Sequence, residues 1–320
     1  MSKVSDTPNP STANTIRRYE IEDSYTLQCS EDVIARRIRA LVDIPAHGVK
    51  AGDLGGYIEK EENLPHDSDA WVSGDALVCG DAEVSGHARV KDTATVCASA
   101  KVFGSAVVEG DAFVGDSARI SEFASVSANA NVLGKAQIFG KAEITGDATV
   151  GGHARVHVKA FVGGSALVTD SAVPCGFARV FGNAKVAGNA DIRDYASVME
   201  FATVKDNACV SGHAVIAGNS VVEGNALISA DVRVSGNSTI GHDAQVTDGK
   251  SYMLMGPIRG LWLTVYRDKK CGVRLHFDKI SGSLDDFRKE VASAYADTPG
   301  IASHLDWLAV KAAAIFNGRD

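Results

Sequence analysis

Residues 70–90 read AWVSGDALVCGDAEVSGHARV, and this stretch decides the fold. Alanine recurs at every sixth residue, starting at Ala70, and a valine follows two positions after each alanine, starting at Val72. The spacing matches neither the 3.6-residue period of an α-helix nor the two-residue period of a plain strand. The same register continues without insertion or deletion to Gly249, which indicates a structural repeat that covers more than half of the chain.

Each six-residue unit has the form A-x-V-x-G-x, and its residue types predict its shape. An alanine and a valine two positions apart point to the same side of a strand, and valine suits a half-buried sheet. Glycine two positions later tolerates positive φ, and aspartate, which often replaces it, can bond to its own backbone. We therefore predict one short strand and one corner in each unit. Since no unit can bury its valine alone, the coils must stack to form a core.

This pattern resembles the hexapeptide repeat of left-handed parallel β-helices, the fold of the trimeric LpxA-like acyltransferases. The resemblance implies three units in each triangular coil, and thus an all-β solenoid of about ten coils that is about 48 Å long at the usual strand spacing. In that family glycine often follows the aliphatic residue directly, whereas here it comes one position later. A right-handed three-sided β-helix of the bactofilin type is therefore the alternative.

Four segments make up the predicted domain organisation. Residues 1–17 are polar and contain two prolines, which predicts a disordered tail. Residues 18–69 are expected to form an N-terminal β cap, with a strand within residues 35–44, and residues 70–249 to form the β-helix. The sequence GVKAGDLGGYIEKEENL at 48–64 resembles the N-terminal part of YdcK-like proteins and related prophage-encoded repeat proteins. This segment is therefore expected to cover the first coil.

The fourth segment, residues 250–320, is predicted to be a small α+β domain of ββαα type that also resembles the tail of the prophage homologues. Residues 260–268 and 272–278 have the pattern of a hairpin. Ser283 is the expected N-cap of the first helix. A second helix is expected to bury one apolar face, formed by Ile301, Leu305, Leu308, Ala312 and Ile315.

The overall composition narrows the class of protein. A net charge of −8 is unlike that of a general nucleic-acid-binding protein, which carries a basic surplus. The N-terminal residues lack the apolar core of a signal peptide, and the chain lacks the long apolar run of a membrane-spanning helix. We therefore expect a cytoplasmic protein with no membrane contact. The six cysteines form no CxxC pair, so reduced thiols and no metal site are expected.

Residues eighteen apart stack in a three-unit coil, so the repeat can be sorted into three sides and three corners. One side is almost free of charge, and Lys185 is its one charged outward residue. The residues predicted to form an oligomer face on this side are Leu77, Thr95, Phe113, Thr149, Leu167, Thr203 and Val221. Such a face suits contact with another copy, and the LpxA-like resemblance favours a homotrimer. The alternative is a solvated sheet in which threonine reflects strand propensity.

Two of the three corners are acidic, and the third combines aromatic and basic residues. The predicted binding stripe on the third corner consists of Phe103, Phe123, Phe139, Lys141, His157, Lys159, Phe177, Arg193 and Tyr195. Such a stripe could bind a single-stranded nucleic acid or another extended polyanion, while the acidic corners could bind a protein partner. The alternative is an aromatic ladder that stabilises neighbouring coils and binds nothing.

Cys79 and Cys97 are eighteen apart and occupy equivalent corner positions. Their Cα atoms are expected to lie about 4.8 Å apart, which is within the range of disulfides. In a reducing cytosol, the favoured interpretation is a pair of small stacked side chains.

LpxA-like acyltransferases use a histidine as general base, so the resemblance implies four weak catalytic candidates: His87, His153, His157 and His213. Acetyl-CoA or another acyl-CoA would then be the cofactor, and otherwise no cofactor is expected. The thirty units contain no inserted loop to enclose an acyl donor, and no GxSxG, P-loop or HExxH motif is present. The leading hypothesis is therefore a non-catalytic repeat scaffold of prophage type that acts through oligomer or partner contacts. A CoA-dependent acyltransferase and a polyanion binder are the alternatives.

Overall fold

Most of the molecule is a β-solenoid built from two-residue strands that stack in parallel. The structure is a computed structural model that describes residues 16–30 and 33–317. The predicted tail, residues 1–17, lies outside the described residues except for its last two positions. From Trp71 to Val246 a strand begins every six residues, and strands eighteen residues apart pair with each other. The predicted all-β solenoid is therefore confirmed.

Three columns of strands form the three sides. The uncharged face consists of Leu77–Val78, Thr95–Val96, Phe113–Val114, Asn131–Val132, Thr149–Val150, Leu167–Val168, Lys185–Val186, Thr203–Val204, Val221–Val222 and Thr239–Ile240. The second side consists of Trp71–Val72, Arg89–Val90, Val107–Val108, Ser125–Val126, Glu143–Ile144, Phe161–Val162, Arg179–Val180, Ser197–Val198, Val215–Ile216 and Arg233–Val234. The third side consists of Glu83–Val84, Lys101–Val102, Arg119–Ile120, Gln137–Ile138, Arg155–Val156, Val173–Pro174, Asp191–Ile192, Cys209–Val210, Leu227–Ile228 and Gln245–Val246.

The alanine and the β-branched residue of each unit fill the interior, and nearly all of them are completely buried. Two units have serine instead of alanine, at Ser220 and Ser238, and these serines are also buried. Each hydroxyl donates a hydrogen bond of 2.6 Å to a carbonyl three residues earlier, Ala217 for the first and Ser235 for the second. A small polar residue is tolerated here because its hydroxyl remains satisfied.

The fifth position turns the chain, and in every unit from Gly74 to His242 its backbone has positive φ whether the residue is glycine or not. A Cβ placed on Gly140 would lie 2.7 Å from the backbone nitrogen of Val158 in the next coil. Where an acid occupies this position, the sequence predicts a bond to its own backbone. At seven of the eight acidic positions the carboxylate instead accepts a hydrogen bond from a glycine N–H in the next coil, whereas the Asp248 carboxylate makes the predicted local bond and accepts the Lys250 N–H at 2.9 Å. The seven pairs are Asp92–Gly110, Asp116–Gly134, Glu122–Gly140, Asp170–Gly188, Asp194–Gly212, Glu200–Gly218 and Asp206–Gly224.

One interruption occurs on the third side, where the ladder divides into two five-stranded sheets between Arg155–Val156 and Val173–Pro174. Pro174 has no N–H to donate, so one ladder bond is missing. The N–H groups of Arg155 and His157 still donate to the next coil, at 3.0 and 3.1 Å. The stacking of the coils therefore continues across the gap.

A small sheet covers the first coil. Its strands Tyr19–Ser30 and Val33–Ala40 are antiparallel, and the second of them pairs with Leu54–Ile58. The last strand then pairs in parallel with Leu77–Val78, which joins this sheet to the uncharged face. The strand expected within residues 35–44 is present, and it begins and ends earlier than predicted.

Two 3-10 turns, Pro45–His47 and Glu61–Asn63, complete this N-terminal part. Asn63 is fully buried, and its amide donates to the carbonyls of Gly80 and Ala82 in the first coil, at 3.0 and 2.7 Å. The first coil is therefore fastened to the N-terminal part by specific hydrogen bonds as well as by apolar contact.

The C-terminal part is a four-stranded antiparallel sheet with two helices. Its strands are Tyr252–Ile258, Leu261–Asp268, Gly272–Phe277 and Ile280–Gly282. The two central strands are the predicted hairpin. The first strand was not predicted because Gly256 and Pro257 obscure its pattern, and the last one has only three residues.

The helices are α1 (Leu284–Ala294) and α2 (Pro299–Asn317). Ser283 is the N-cap of α1, as predicted, and its hydroxyl accepts a hydrogen bond of 3.3 Å from the Asp286 N–H. The predicted buried face of α2 is wrong at Ile315, which is 43% exposed. The completely buried residues of α2 are Leu305, Ala309, Ala312 and Phe316. This stripe is rotated about 100° from Ile315, because one residue turns a helix by that angle.

The C-terminal sheet covers the last coil. Tyr266 is completely buried, and its hydroxyl accepts a hydrogen bond of 3.2 Å from the Gly241 N–H. The Thr264 hydroxyl accepts another of 3.2 Å from the Thr239 N–H. Both bonds satisfy donors at the open edge of the last coil, which would otherwise be a template for pairing with another chain.

Candidate functional site

The third corner of the solenoid carries the candidate site, which we call the aromatic–basic edge. It consists of two columns of side chains that run along the solenoid axis. The first column follows directly after the third side and contains Phe103, Phe139, His157 and Arg193. The second column contains Phe123, Lys141, Lys159, Phe177 and Tyr195, with His87 and His213 further along the same line. The fold thus brings all nine residues of the predicted stripe together on one corner.

Aromatic rings stack on each other within both columns. Phe177, Tyr195 and His213 stack in succession, with centroids 4.9 Å apart in each pair and nearly parallel planes. In the first column, Phe139 stacks on His157 at 4.7 Å. These separations match the spacing of about 4.8 Å between neighbouring strands, so rings on adjacent coils cover each other's faces. The ring stacking between coils that an aromatic ladder requires is therefore present.

Two lysines cover ring faces in the second column. The Lys141 ammonium lies 5.9 Å from the centroid of the Phe123 ring, and the Lys159 ammonium lies 5.0 Å from that of Phe177. The lysines therefore incline away from each other, each toward its own ring. Such cation–π contacts hold the charges at the corner while leaving the ammonium groups in water.

Two arginines outside the predicted stripe also reach this corner. Their strands are on the third side, but the Arg119 guanidinium lies 5.2 Å from the Phe103 ring centroid. The Arg155 guanidinium likewise lies 5.6 Å from the Phe139 ring centroid. Sorting by eighteen assigns both arginines to a side, and only their side-chain directions bring them to the corner.

The charge of the edge is positive at its centre. Lys141 and Lys159 are exposed on adjacent coils, and among the described residues no carboxylate lies within salt-bridge distance of either. The carboxylates of the corner acids Glu122 and Asp194 point along the axis. Each accepts a hydrogen bond from a glycine N–H of the next coil, at 3.1 and 3.0 Å. These acids therefore satisfy the backbone and do not pair with the two lysines.

Val158 marks the middle of the edge and has an unusual backbone. Its φ is +65°, and its side chain is 47% exposed between His157 and Lys159. Positive φ in a β-branched residue is strained and rare. This unusual position can be recognised from the sequence, because Val158 is the one β-branched residue at the fifth position of the thirty units. An exposed valine held there at such a cost suits a contact surface.

Within the part of the chain that the structure describes, His87 is the one catalytic candidate that contacts a carboxylate. Its Nδ1 lies 3.4 Å from Asp69, which also forms a salt bridge of 2.7 Å with Arg18. A cavity of about 460 Å³ opens here between the segment at 65–69 and the first coil. The His87 side chain is 62% exposed, so this contact is open to solvent.

The other three candidate histidines are spread over the molecule. His153 is exposed on an acidic corner, away from the aromatic–basic edge. His157 is half-buried on Phe139, and burial, followed by the charge of Arg155, lowers its pKa. His213 is exposed at the end of the ring stack. The fold therefore does not assemble these histidines into a common centre.

The predicted oligomer face is flat and continuous. Each of its seven predicted residues lies on the outer surface of the uncharged face and pairs with the strand of the next coil. All seven are half-buried by their neighbours. Lys185, also on this face, is exposed. Apart from Lys185, the outward side chains of this face are uncharged. Those of Leu77, Phe113, Leu167 and Val221 are apolar.

Comparison with known proteins does not place the chain in a family. No protein-family model matches the chain, and no curated protein matches it significantly. Within residues 16–30 and 33–317, no cluster of histidine, cysteine or acidic side chains is arranged to hold a metal ion. No helix in the same part of the chain is long and apolar enough to cross a membrane.

Proposed function

We propose that this protein is a non-catalytic scaffold of the cytoplasm that binds a partner along the aromatic–basic edge. One observation carries the proposal. Between residues 70 and 249, five large apolar side chains are exposed, and four of them lie on this edge: Phe123, Val158, Phe177 and Tyr195. Exposed apolar groups concentrated on one line of a soluble protein indicate an interaction site.

The chemistry of the edge favours an anionic partner. An aromatic ring is electronegative on its face and electropositive at its rim. Phe177 lies between Lys159 and the Tyr195 ring, and Tyr195 lies between two rings, so the rims of these two residues are left for a partner, while Lys141 covers one face of Phe123. The rims and the ammonium groups of Lys141 and Lys159 then present the same sign of potential. The edge is therefore suited to carboxylates.

The same geometry disfavours a single-stranded nucleic acid as the partner. Proteins that bind such strands stack bases on free aromatic faces. In the stack of Phe177, Tyr195 and His213, neighbouring rings occupy those faces. We therefore propose an acidic, extended polypeptide segment as the partner. The continuous register between 70 and 249 supports a binding role over acyl transfer, because no loop leaves the coils to enclose a donor.

The test is a binding titration with fluorescein-labelled poly-L-glutamate, followed by anisotropy at several salt concentrations. We expect saturable binding that weakens as salt rises, because exposed charges are screened within about 10 Å at 0.1 M salt. Labelled oligothymidylate of the same charge serves as the comparison and is expected to bind no more tightly. Absence of binding to poly-L-glutamate would contradict the proposal, and tighter binding of oligothymidylate would replace the acidic partner with a nucleic acid.

Self-association through the uncharged face is the second part of the proposal, and the LpxA-like resemblance supports a trimer. The double variant Phe113→Lys and Leu167→Lys is expected to reduce the mass measured by light scattering to that of one chain, because charge is disfavoured in an interface core. The control variant Arg119→Lys and Arg155→Lys leaves this face intact and should retain the wild-type mass. A wild-type mass of one chain, or an unchanged mass in the double variant, would exclude this interface.

A further inference from the structure

Two cysteine side chains lie side by side at an acidic corner of the solenoid. This corner is separate from the aromatic–basic edge. Cys79 and Cys97 directly follow the paired strands Leu77–Val78 and Thr95–Val96. The Cys79 N–H donates a hydrogen bond of 3.0 Å to the carbonyl of Val96, which keeps the two cysteines in register. Strands at this register are about 4.8 Å apart, within the Cα range of natural disulfides. The parallel ladder therefore holds the two residues at bonding range.

The two side chains also contact each other. Both are thiols and both are partly exposed, so small reagents can reach them. A hydrogen bond from the Cys79 thiol lowers the pKa of Cys97 to about 7. A substantial fraction of Cys97 is then thiolate at neutral pH, and the thiolate is the reactive form. Cys175 and Cys209 differ, because burial is the main cause that raises the pKa of each.

We propose that Cys79 and Cys97 form a redox-active pair that low-molecular-weight disulfides, such as glutathione disulfide, convert into a disulfide between adjacent coils. The Cys97 thiolate attacks one sulfur of glutathione disulfide, and the S–S bond breaks to release one glutathione thiolate. Cys79 then loses its proton and attacks the Cys97 sulfur of the mixed disulfide, which releases the second glutathione. Two cysteine thiols are oxidised, one disulfide is reduced, and the two thiol protons finish on the two glutathione molecules.

The disulfide would stabilise the solenoid at its junction with the N-terminal part of the chain. Gly80, next to Cys79, donates its N–H to the Glu59 carboxylate at 2.6 Å. The carbonyl of Gly80 accepts the buried Asn63 amide at 3.0 Å. A cross-link from Cys79 to Cys97 therefore ties this anchored turn to the second coil. The oxidised protein is expected to unfold at a higher temperature than the reduced one, because the cross-link restricts the unfolded chain.

The experiment uses the full-length protein and glutathione disulfide, with intact mass and peptide mapping as readouts. We expect the wild-type protein to lose two hydrogen atoms, to retain no glutathione on this pair, and to yield one cross-linked peptide containing Cys79 and Cys97. The variant Cys79→Ser should instead accumulate one glutathione on Cys97, because the resolving thiol is absent. The variant Cys97→Ser should react with glutathione disulfide at least about twofold more slowly than Cys79→Ser does, because the thiol that its neighbour activates is absent.

The variant Cys175→Ser is the matched control, because it removes a half-buried thiol outside the pair. It should form the same cross-link at the wild-type rate. Circular dichroism establishes that each variant remains folded. Stable glutathione adducts on both cysteines of the wild-type protein would overturn the proposal. So would a cross-link between other cysteines, or no reaction at Cys97.

Discussion

Reversing the charge of Lys141 and Lys159 to glutamate is expected to weaken binding of poly-L-glutamate at least about tenfold. Each reversal replaces an attraction of up to about 1 kcal/mol by a repulsion of similar size, and about 1.4 kcal/mol corresponds to a factor of ten. The two lysines are adjacent and have no carboxylate at salt-bridge distance among the described residues, so the protein itself does not compensate the change. Anisotropy at low salt measures the loss.

The matched control for this prediction is the double variant Lys135→Glu and Lys185→Glu. Both of these lysines are exposed, one on an acidic corner and one on the uncharged face. Each double variant replaces two positive charges by two negative ones, which changes the net charge from −8 to −12. If binding depends on the aromatic–basic edge, the control should lose much less affinity. Equal losses in both variants would show that only the total charge matters, and would contradict the proposed site.

The substitution Trp71→Ala is expected to lower the free energy of unfolding by about 4 kcal/mol, which is typical for a large buried aromatic residue. Trp71 points outward from the first strand of the second side, yet it is only 1% exposed. A Cβ on Gly55 would lie 2.8 Å from the Trp71 ring, so the N-terminal sheet packs directly on it. Its removal leaves a cavity between this sheet and the first coil. Urea denaturation followed by circular dichroism measures the effect.

Phe161→Ala is the control for Trp71→Ala. Phe161 has the same outward position on the second side, five coils further along, and is half-buried with the Arg179 guanidinium 5.3 Å from its ring centroid. Only the neighbouring coils shield it, so we expect a loss of about 1 to 2 kcal/mol. Similar losses for the two variants would mean that the N-terminal sheet contributes little to the stability of the first coil.

The solenoid itself was predictable because its information is local and repeated. Ala70 and Val72 define a strand that faces inward, and Gly74 defines a corner with positive φ. A single unit gives only weak evidence for this structure, but thirty units in one register predict it unambiguously. The same register placed Lys141 and Lys159 on one corner with Phe123 and Phe177.

The parts that could not be predicted depend on side-chain direction or on packing between distant segments. Arg119 and Arg155 belong to a side by register, yet their guanidinium groups reach the rings of the corner. Asp69 became the partner of His87 only because the N-terminal part folds back over the first coil. Ile315 was assigned to the wrong face of α2, since the helical period alone permits several apolar stripes and the sheet selects one.

The resemblance to hexapeptide-repeat proteins supplied the stacking at eighteen residues, which sorts the residues into sides and corners, and the amino-acid sequence by itself determined the strand-and-corner unit and its six-residue register. Backbone preference and binary pattern decide these features within a few residues. The tertiary structure alone decided that Phe177, Tyr195 and His213 cover each other's faces while Lys141 and Lys159 each lie over a phenylalanine ring. It also decided that two thiols share a contact at Cys79 and Cys97. These features depend on the rotamers that side chains of different coils adopt together. The six-residue period of the sequence does not specify those rotamers.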